Sequence, residues 1–506
     1  MKRNIYLLIG LLIVFAFSAC EDLEVENTNR PTFIETNDPS QVNGVVGGLF
    51  NGIHYTSHSG FWADDEPLLA WFNAADVGSC SWGNFAQRDV SSEPRVVYNN
   101  TPAYPNRVPV ENYYAQLYSF SSSASDALAA IANDEDDVIE EPIRAAAVAK
   151  YAQAYCLGHV GMFFDQGFVV TEHTDVLLEI PLVTYDVMID SALAILEVCI
   201  DLCENDFTIP GTWLPTADTY TNVELGKLAN TLAARLLTYR SRTKAQNEAN
   251  DWTTILAYAE KGITMDYAPI MNDVDWHNYY LWYQIRTGWG RTDMRVINMM
   301  DPTMDPWFPA SGLITDLPND GIAVGSLDAR IGDFEYLDEQ GFLAERGIYH
   351  YSTYRFSRYD NYRDNFVGPL PTIMAWENSM IMAEALARTG DVSGAADILN
   401  DPANPRIDRG GLADVAVDLD DVLAAIYYEK TIECMLTTEN TEFYDMRRRD
   451  MLQAGTPKHL PIPAQQLEVL EIPFYSFGGT TGIAGEDYST GGWETVDGYK
   501  KSEYGY

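Results

Sequence analysis

The sequence predicts a mainly α-helical protein of stacked helical hairpins with a loop-rich face, and three observations lead there. Apolar residues recur at three- and four-residue steps from about 111 to 262 and again after 370. Short turns part the helical runs, as in WENSMIMAEALARTGDVSGAADILN, where Gly390 and Asp391 make a tight turn and Ala387, Ala395 and Ala396 stand at close-packing points. Over 57 to 110 and 265 to 370 the chain is instead rich in turn formers and in Trp, so long loops are expected. The hairpin resembles a tetratricopeptide unit, although no strict repeat period runs through the chain.

Each element follows from its residues. SQVNGVVGGLFNGIHYT (40 to 56) is a first helix weakened by its glycines. Residues 111 to 132 form a second, ending before the acidic turn NDEDD. EEPIRAAAVAKYAQAYCLGHVGMFF opens with acids and Pro142, which suit a helix N-terminus, and its alanines let a neighbouring helix come close. Helices follow at about 184 to 204 and 222 to 243. In the latter, Leu225, Leu228, Leu232 and Leu236 share a face, with Asn222 as the cap. Further helices are expected from Asp251 to about Gly262, and over 371 to 389, 391 to 400 and 419 to 437.

The stretch DWHNYYLWYQIRTGWG (275 to 290) carries three Trp and three Tyr in sixteen positions. Neither a helical nor a strand period collects these rings on one face, so some are expected to meet water or a ligand.

The N-terminus speaks to compartment. MKRN is a short basic start, IYLLIGLLIVFAF is too short an apolar run to span a bilayer, and FSAC ends in small residues at Cys20. The pattern looks like a bacterial lipobox, predicting a signal peptide over 1–19, a lipidated Cys20 and a tether over 20–40. One domain is expected over 41–506, with a helical part at about 41–264 and a loop-rich and C-terminal part at about 265–506. No later segment is apolar enough to span a membrane, so contact with lipid would run through the anchor alone.

The formal net charge is −42, and removing Lys2 and Arg3 with the signal peptide takes it to −44. Such a chain repels phosphate backbones, which excludes nucleic acid as a natural partner. Without Cys20 the cysteines are Cys80, Cys156, Cys199, Cys203 and Cys434, an odd set that argues against a disulfide framework.

Several stretches together carry a family resemblance. They are FSAC with EDLEVENTN, KYAQAYCLGHVGMFFDQGF, MAEALARTGDVSGAADILNDPANPRIDRGGL, IYYEKTIECMLTTENTEFYDMRRRD and HLPIPAQQLEVL. In order and spacing across nearly the whole chain they resemble the SusD/RagB lipoproteins of Bacteroidetes. The chain departs from the family pattern at Lys430 and Thr431, where a basic pair is usual. It departs again at Thr441 or Glu442, where an Arg precedes the aromatic, and at Met446, where Leu is usual. The resemblance implies a SusD-like fold of four tetratricopeptide-like hairpins. It also implies a lipid-anchored place on the outer membrane, facing the cell exterior, and a SusC-like TonB-dependent transporter as partner. The protein would be a non-catalytic lid that captures an oligosaccharide.

Glycan recognition needs aromatic faces for the C–H side of a sugar and planar polar groups for its hydroxyl edge. The stretch 275 to 290 supplies Trp276, Tyr279, Tyr280, Trp282 and Trp289 with Asn278, Gln284 and Arg286. The earlier loop adds Trp62, Trp71, Trp82, Asn73, Asp76 and Asn84, and Trp307 lies in a proline-bounded loop. The expected ligand-binding set is Trp71, Trp82, Trp276, Tyr280, Trp282, Trp289, Trp307, Asn73, Asn84, Asn278 and Arg286. Trp71, Trp82, Trp276, Trp282 and Trp289 are the leading platforms.

Other constellations point elsewhere only weakly. His54 and His58 stand at i and i+4, but the Glu of a metalloprotease motif and a third ligand are missing. The acidic clusters ADDE (63 to 66) and NDEDD (133 to 137) offer oxygen ligands for Ca²⁺ without EF-hand spacing, so solvated turns are expected and no cofactor is called for. RRRD (447 to 450) is expected to pair with local carboxylates. Two alternatives stay open: capture of peptides by the same lid, and a glycoside hydrolase, which needs two carboxylates about 5–10 Å apart.

Overall fold

The structure, a computed structural model, describes residues 41–58, 68–79, 83–92, 95–175, 177–304, 326–337, 352–480 and 488–492. Cys20 with the signal peptide and tether, Trp62, Cys80, Trp82, Trp307 and the ADDE cluster lie outside the described residues.

A run of helices forms the scaffold, each packed on the one before and the one after. In order they are Val108–Ala132, Pro142–Phe163, Tyr185–Leu202, Asn222–Tyr239, Trp252–Ala259, Ala375–Thr389, Val392–Asn400 and Leu419–Ile432. Taken two by two they make four hairpin-like pairs. The fold is mainly α, as the periodicity predicts, and its strands are only two or three residues long among the described residues.

Local chemistry accounts for the helix ends. Pro142 occupies the first turn of its helix, where its missing N–H costs nothing. Asp251 accepts from the Thr254 N–H at 3.1 Å and Asp391 from the Gly394 N–H at 2.8 Å. Gly390, at φ +103°, takes the left-handed conformation that closes the preceding helix. At the next site the cap differs from expectation. Thr221 forms a capping box with Glu224, while Asn222 turns back to donate to the Cys203 carbonyl at 2.9 Å. The first expected helix is broken by Gly48 into Val42–Gly47 and Leu49–His58.

Packing follows the predicted faces. Leu225, Leu228, Leu232 and Leu236 are all buried, as are Ala387, Ala395 and Ala396. Gly161 lets Pro142–Phe163 close on Tyr185–Leu202, since a Cβ there would stand 2.8 Å from the Tyr185 carbonyl and from Ile189. Cys156, Cys199, Cys203 and Cys434 are buried free thiols. Asp134 in the NDEDD turn accepts from the Val138 and Ile139 N–H groups, which makes that cluster a backbone turn.

The arginine-rich signature is scaffold. Arg448 is fully buried and donates to Glu384 at 2.8 and 2.6 Å and to Asp445 at 2.9 and 2.6 Å, with Lys430 3.2 Å from Asp445. Arg449 also pairs with Asp445. Arg447 instead donates to the carbonyls of Met162, Tyr239 and Lys458. These contacts join the C-terminal helices to the earlier pairs, which explains why such charges stand in a hydrophobic setting.

The third pair is split, because residues 260 to 374 are inserted between Trp252–Ala259 and Ala375–Thr389. This insertion is less irregular than expected, containing the short helices Tyr279–Ile285 and Met294–Met300. Leu68–Ala74 is likewise helical within the expected loop of 57 to 110. Antiparallel strand pairs pin the insertion down. Ile270–Asn272 runs beside Val367–Pro369, and Gly78–Ser79 beside Arg291–Thr292. The second pair fastens residues 68 to 79 to the aromatic stretch, and this junction carries the candidate site.

Candidate ligand site

Burial sorts the predicted residues first. Trp276 is only 1% exposed and Trp71 2%. The Trp276 ring lies 5.1 Å from the His54 ring and 5.8 Å from that of His58, so the suspected histidine pair and the suspected platform pack together in the core. Burial pushes His54 down to about 3, leaving it neutral, with its Nε2 2.9 Å from the Tyr267 hydroxyl. Trp71 packs edge-on against Phe163 and Phe443. Neither indole has a face free for a ligand, which corrects the expectation for both.

Five more expected residues are support rather than surface. Tyr280 is buried edge-on against Phe72 at 5.4 Å. Asn278 caps Tyr279–Ile285 by accepting from the Leu281 N–H at 2.7 Å. Trp282 is buried, donating from Nε1 to the Arg363 carbonyl at 3.0 Å. Its ring is covered by the Arg286 guanidinium at 4.4 Å and by the edges of Trp289 and Phe366. Asn73 is buried, donating to Gln87 at 2.9 Å and accepting from Gln284 at 3.3 Å. Arg286 is half-buried over Trp282 and lies 3.5 Å from Asp364, so it braces the aromatic cluster.

Two expected residues do meet at an opening. A cavity of about 330 Å³ is lined by Gly83, Asn84, Tyr279, Tyr283 and Trp289. Tyr283 and Trp289 have ring centroids 5.1 Å apart, and Tyr279 and Tyr283 6.4 Å. The Tyr283 hydroxyl donates to Asn84 Oδ1 at 3.1 Å, which orients the amide and leaves its NH₂ as a donor at the exposed rim. None of the described lining side chains carries a charge. The half-buried Trp289 ring, backed by the buried Tyr279 and Tyr283, thus offers a stacking face beside the Asn84 amide, and the described lining residues include no nucleophile or carboxylate.

The backbone holds this arrangement under strain. Phe85 and Ala86 are consecutive left-handed residues at φ 58° and 63°, each costing about 1 kcal/mol or more. The cost is offset by what lies beneath. Phe85 packs edge-on against Tyr279 at 5.7 Å and Tyr283 at 6.0 Å, and Gln87 donates to the Asn84 carbonyl at 3.2 Å. The Asn73–Gln87–Gln284 chain therefore sets the height of Asn84 against the helix that carries the tyrosines.

Sequence reasoning passed over Tyr283 and Gly83 and left Tyr279 outside its final set. Tyr279 and Tyr283 stand at i and i+4, the spacing that puts two rings on one helical face, and this signal was present in the sequence.

No protein-family model matches the sequence, and no curated protein does. Solved structures do match. Surface glycan-binding protein A from Bacteroides uniformis superposes with a TM-score of 0.59 at 14% identity, over 87% of this chain and 99% of that one. The chain has the SusD-like fold. A SusD-like carbohydrate binding protein from Bacteroides vulgatus ATCC 8482 gives a TM-score of 0.56 at 15% identity, over 84% of this chain and 86% of that one. Another structure, with xylogluco-oligosaccharide, gives 0.50 at 13% identity, over 81% and 82%. The SusD-like fold thus holds here with about six in seven residues changed. Among the described residues no helix is long and apolar enough to cross a membrane, and no group of three His, Cys, Asp or Glu side chains is placed to hold a metal ion.

Proposed function

We propose that this protein is a lipid-anchored outer-membrane protein of the cell surface that captures oligosaccharides without cleaving them. It passes them to a SusC-like TonB-dependent transporter. The observation that carries the reading is the uncharged cavity of Tyr279, Tyr283, Trp289 and Asn84 at the edge of a SusD-like scaffold. Rings of this kind lie against the C–H face of a pyranose, and the Asn84 amide meets its hydroxyls. Carbohydrate binding and a xylogluco-oligosaccharide complex among proteins of this fold support the same reading. None of the five described lining residues is a carboxylate, in keeping with capture without cleavage.

The test is calorimetry against a panel of oligosaccharides, with Trp289→Ala beside the native protein. Removing one central stacking ring should weaken binding about tenfold or more. No release of reducing ends should accompany binding. Equal affinity of the variant for every ligand would remove the cavity from the function, and tighter binding of peptides than of any sugar would shift the ligand class.

A further inference from the structure

A second cavity opens at the other end of the same short turn. It measures about 230 Å³ and is lined by Asp89, Val90, Val96, Val97, Tyr98, Asn99, Tyr104 and Pro457. Its rings are Tyr98 and Tyr104, edge to face at 5.9 Å. Its polar groups are the exposed Asn99 amide and the Asp89 carboxylate, which accepts from the Tyr104 hydroxyl and from Asn106. Like the Trp289 cavity it joins rings to one amide, and it adds the Asp89 carboxylate and a wall of valines and Pro457.

Segment 83 to 90 joins the two openings. Phe85, Ala86, Gln87 and Val90 point inward and are buried, while Asn84 and Asp89 are exposed and Gly83 and Arg88 half-buried. The outer side of the turn therefore runs from Asn84 at the first cavity, past Arg88, to Asp89 at the second. Asn84 and Asp89 are five residues apart, with the left-handed pair Phe85 and Ala86 between them.

Arg88 distinguishes this strip. In a chain with 74 acidic and 32 basic residues, described arginines are held by carboxylates or backbone carbonyls, as Arg95, Arg286, Arg330 and Arg448 are. Arg88 has no hydrogen bond or ion pair with any described residue. Its Nη1 lies 4.0 Å from where a Cβ on Gly83 would stand, at the lip of the first cavity. A guanidinium has five donors in a fixed plane and suits a pair of sugar hydroxyls. Taken singly, each cavity sits at or below the lower end of the roughly 300–1,000 Å³ usual for small-molecule sites.

We infer that the Tyr98–Tyr104 cavity is a second sugar subsite, linked to the Trp289 cavity across Arg88, so that the ligand is an extended oligosaccharide. The inference rests on the glycan-binding reading above and adds the length of the ligand and the residue that reads its middle. A disaccharide fills one cavity only. A longer chain stacks on Trp289, passes Arg88 and ends at the cavity of Tyr98 and Tyr104.

The experiment is calorimetry on the full chain with neutral cello-, malto-, xylo- and manno-oligosaccharides, each offered as a disaccharide and as a hexasaccharide. The hexasaccharide that binds should do so at least about tenfold more tightly than its disaccharide, as one charge-assisted hydrogen bond suffices for that factor. Val96→Trp, at a half-exposed position on the wall of the second cavity, fills it from the solvent side; Arg88→Gln removes the central cation. Val96→Trp should bring the hexasaccharide down to the disaccharide affinity and leave the disaccharide unchanged, and Arg88→Gln should lower the hexasaccharide affinity at least about tenfold, with native melting temperatures confirming the fold. Unaltered hexasaccharide affinity in both variants overturns the second subsite while leaving the Trp289 site standing. Full affinity in Trp289→Ala, or no binding by any member of the panel, overturns the glycan reading and this inference with it.

Discussion

Replacing Trp276 with alanine should destabilise the protein without touching its ligand surface, the opposite of what a sugar platform would do. The indole is 1% exposed and wedged against His54 and His58 at ring separations of 5.1 and 5.8 Å. Deleting a buried Trp removes its transfer free energy and leaves a cavity that relaxes only in part, a cost of about 3–5 kcal/mol. In urea titrations followed by circular dichroism, the midpoint should fall while the slope stays constant, since the surface exposed on unfolding barely changes. A second readout follows from the histidine. Burial holds His54 down at about 3. Opening a water-sized space beside it relieves the desolvation, so its pKa should climb toward the ordinary 6.5, visible by NMR of the ring protons. The folded variant should keep its glycan affinity. Native stability together with lost affinity would refute the assignment of Trp276 to the core and restore it as a platform.

Three further outcomes test the scaffold. Asp165 is raised to about 7, chiefly by burial, with the Tyr475 hydroxyl and the Arg242 charge pulling the other way. A raised carboxyl holds its proton more tightly in the folded chain, so its contribution is complete below pH 3.8 and lost as pH rises to about 7. Asp165→Asn should therefore remove up to about 1.4 kcal/mol per pH unit of that slope in unfolding titrations between pH 4 and 7. Glu384→Ala leaves Arg448 and Lys430 buried with Asp445 as their remaining carboxylate neighbour, and should cost about 3–5 kcal/mol in the same assay. Thr221→Ala opens the capping box with Glu224 and should cost about 1 kcal/mol, with ligand affinity unchanged.

The helical scaffold was legible because its signals are local. Leucines at three- and four-residue steps, Pro142 at a helix start and Gly390 before Asp391 each act through neighbours within one turn, so period and cap chemistry suffice to place them. Cap identity at Thr221 was missed by one residue, since Thr and Asn both accept from a helix N-terminus and only the reach of Glu224 decides between them. The short helices Leu68–Ala74 and Tyr279–Ile285 were hidden for a different reason. Every residue in both is buried, so neither has a polar face, and a helix covered on all sides carries no amphipathic period.

That same fact explains how the aromatic stretch misled. Rings that fit no single face were taken to be surplus to the core, an inference that holds only for an element with one face to bury. Tyr279–Ile285 is packed on by the 68 to 79 segment and by Phe366, while Trp276 just before it packs on the His54 helix, so several directions were core at once. What remained for a ligand was set by tertiary contacts that composition does not encode. Asn73, Gln87 and Gln284 fix a strained turn against the helix, and that turn leaves Trp289 half-exposed beside Asn84, with Tyr279 and Tyr283 buried behind it at the cavity wall. The polar residues beneath a ring thus decide whether it becomes a platform. On this fold the specificity of the pocket is expected to follow changes at Asn73 and Gln284 as closely as changes in the rings themselves.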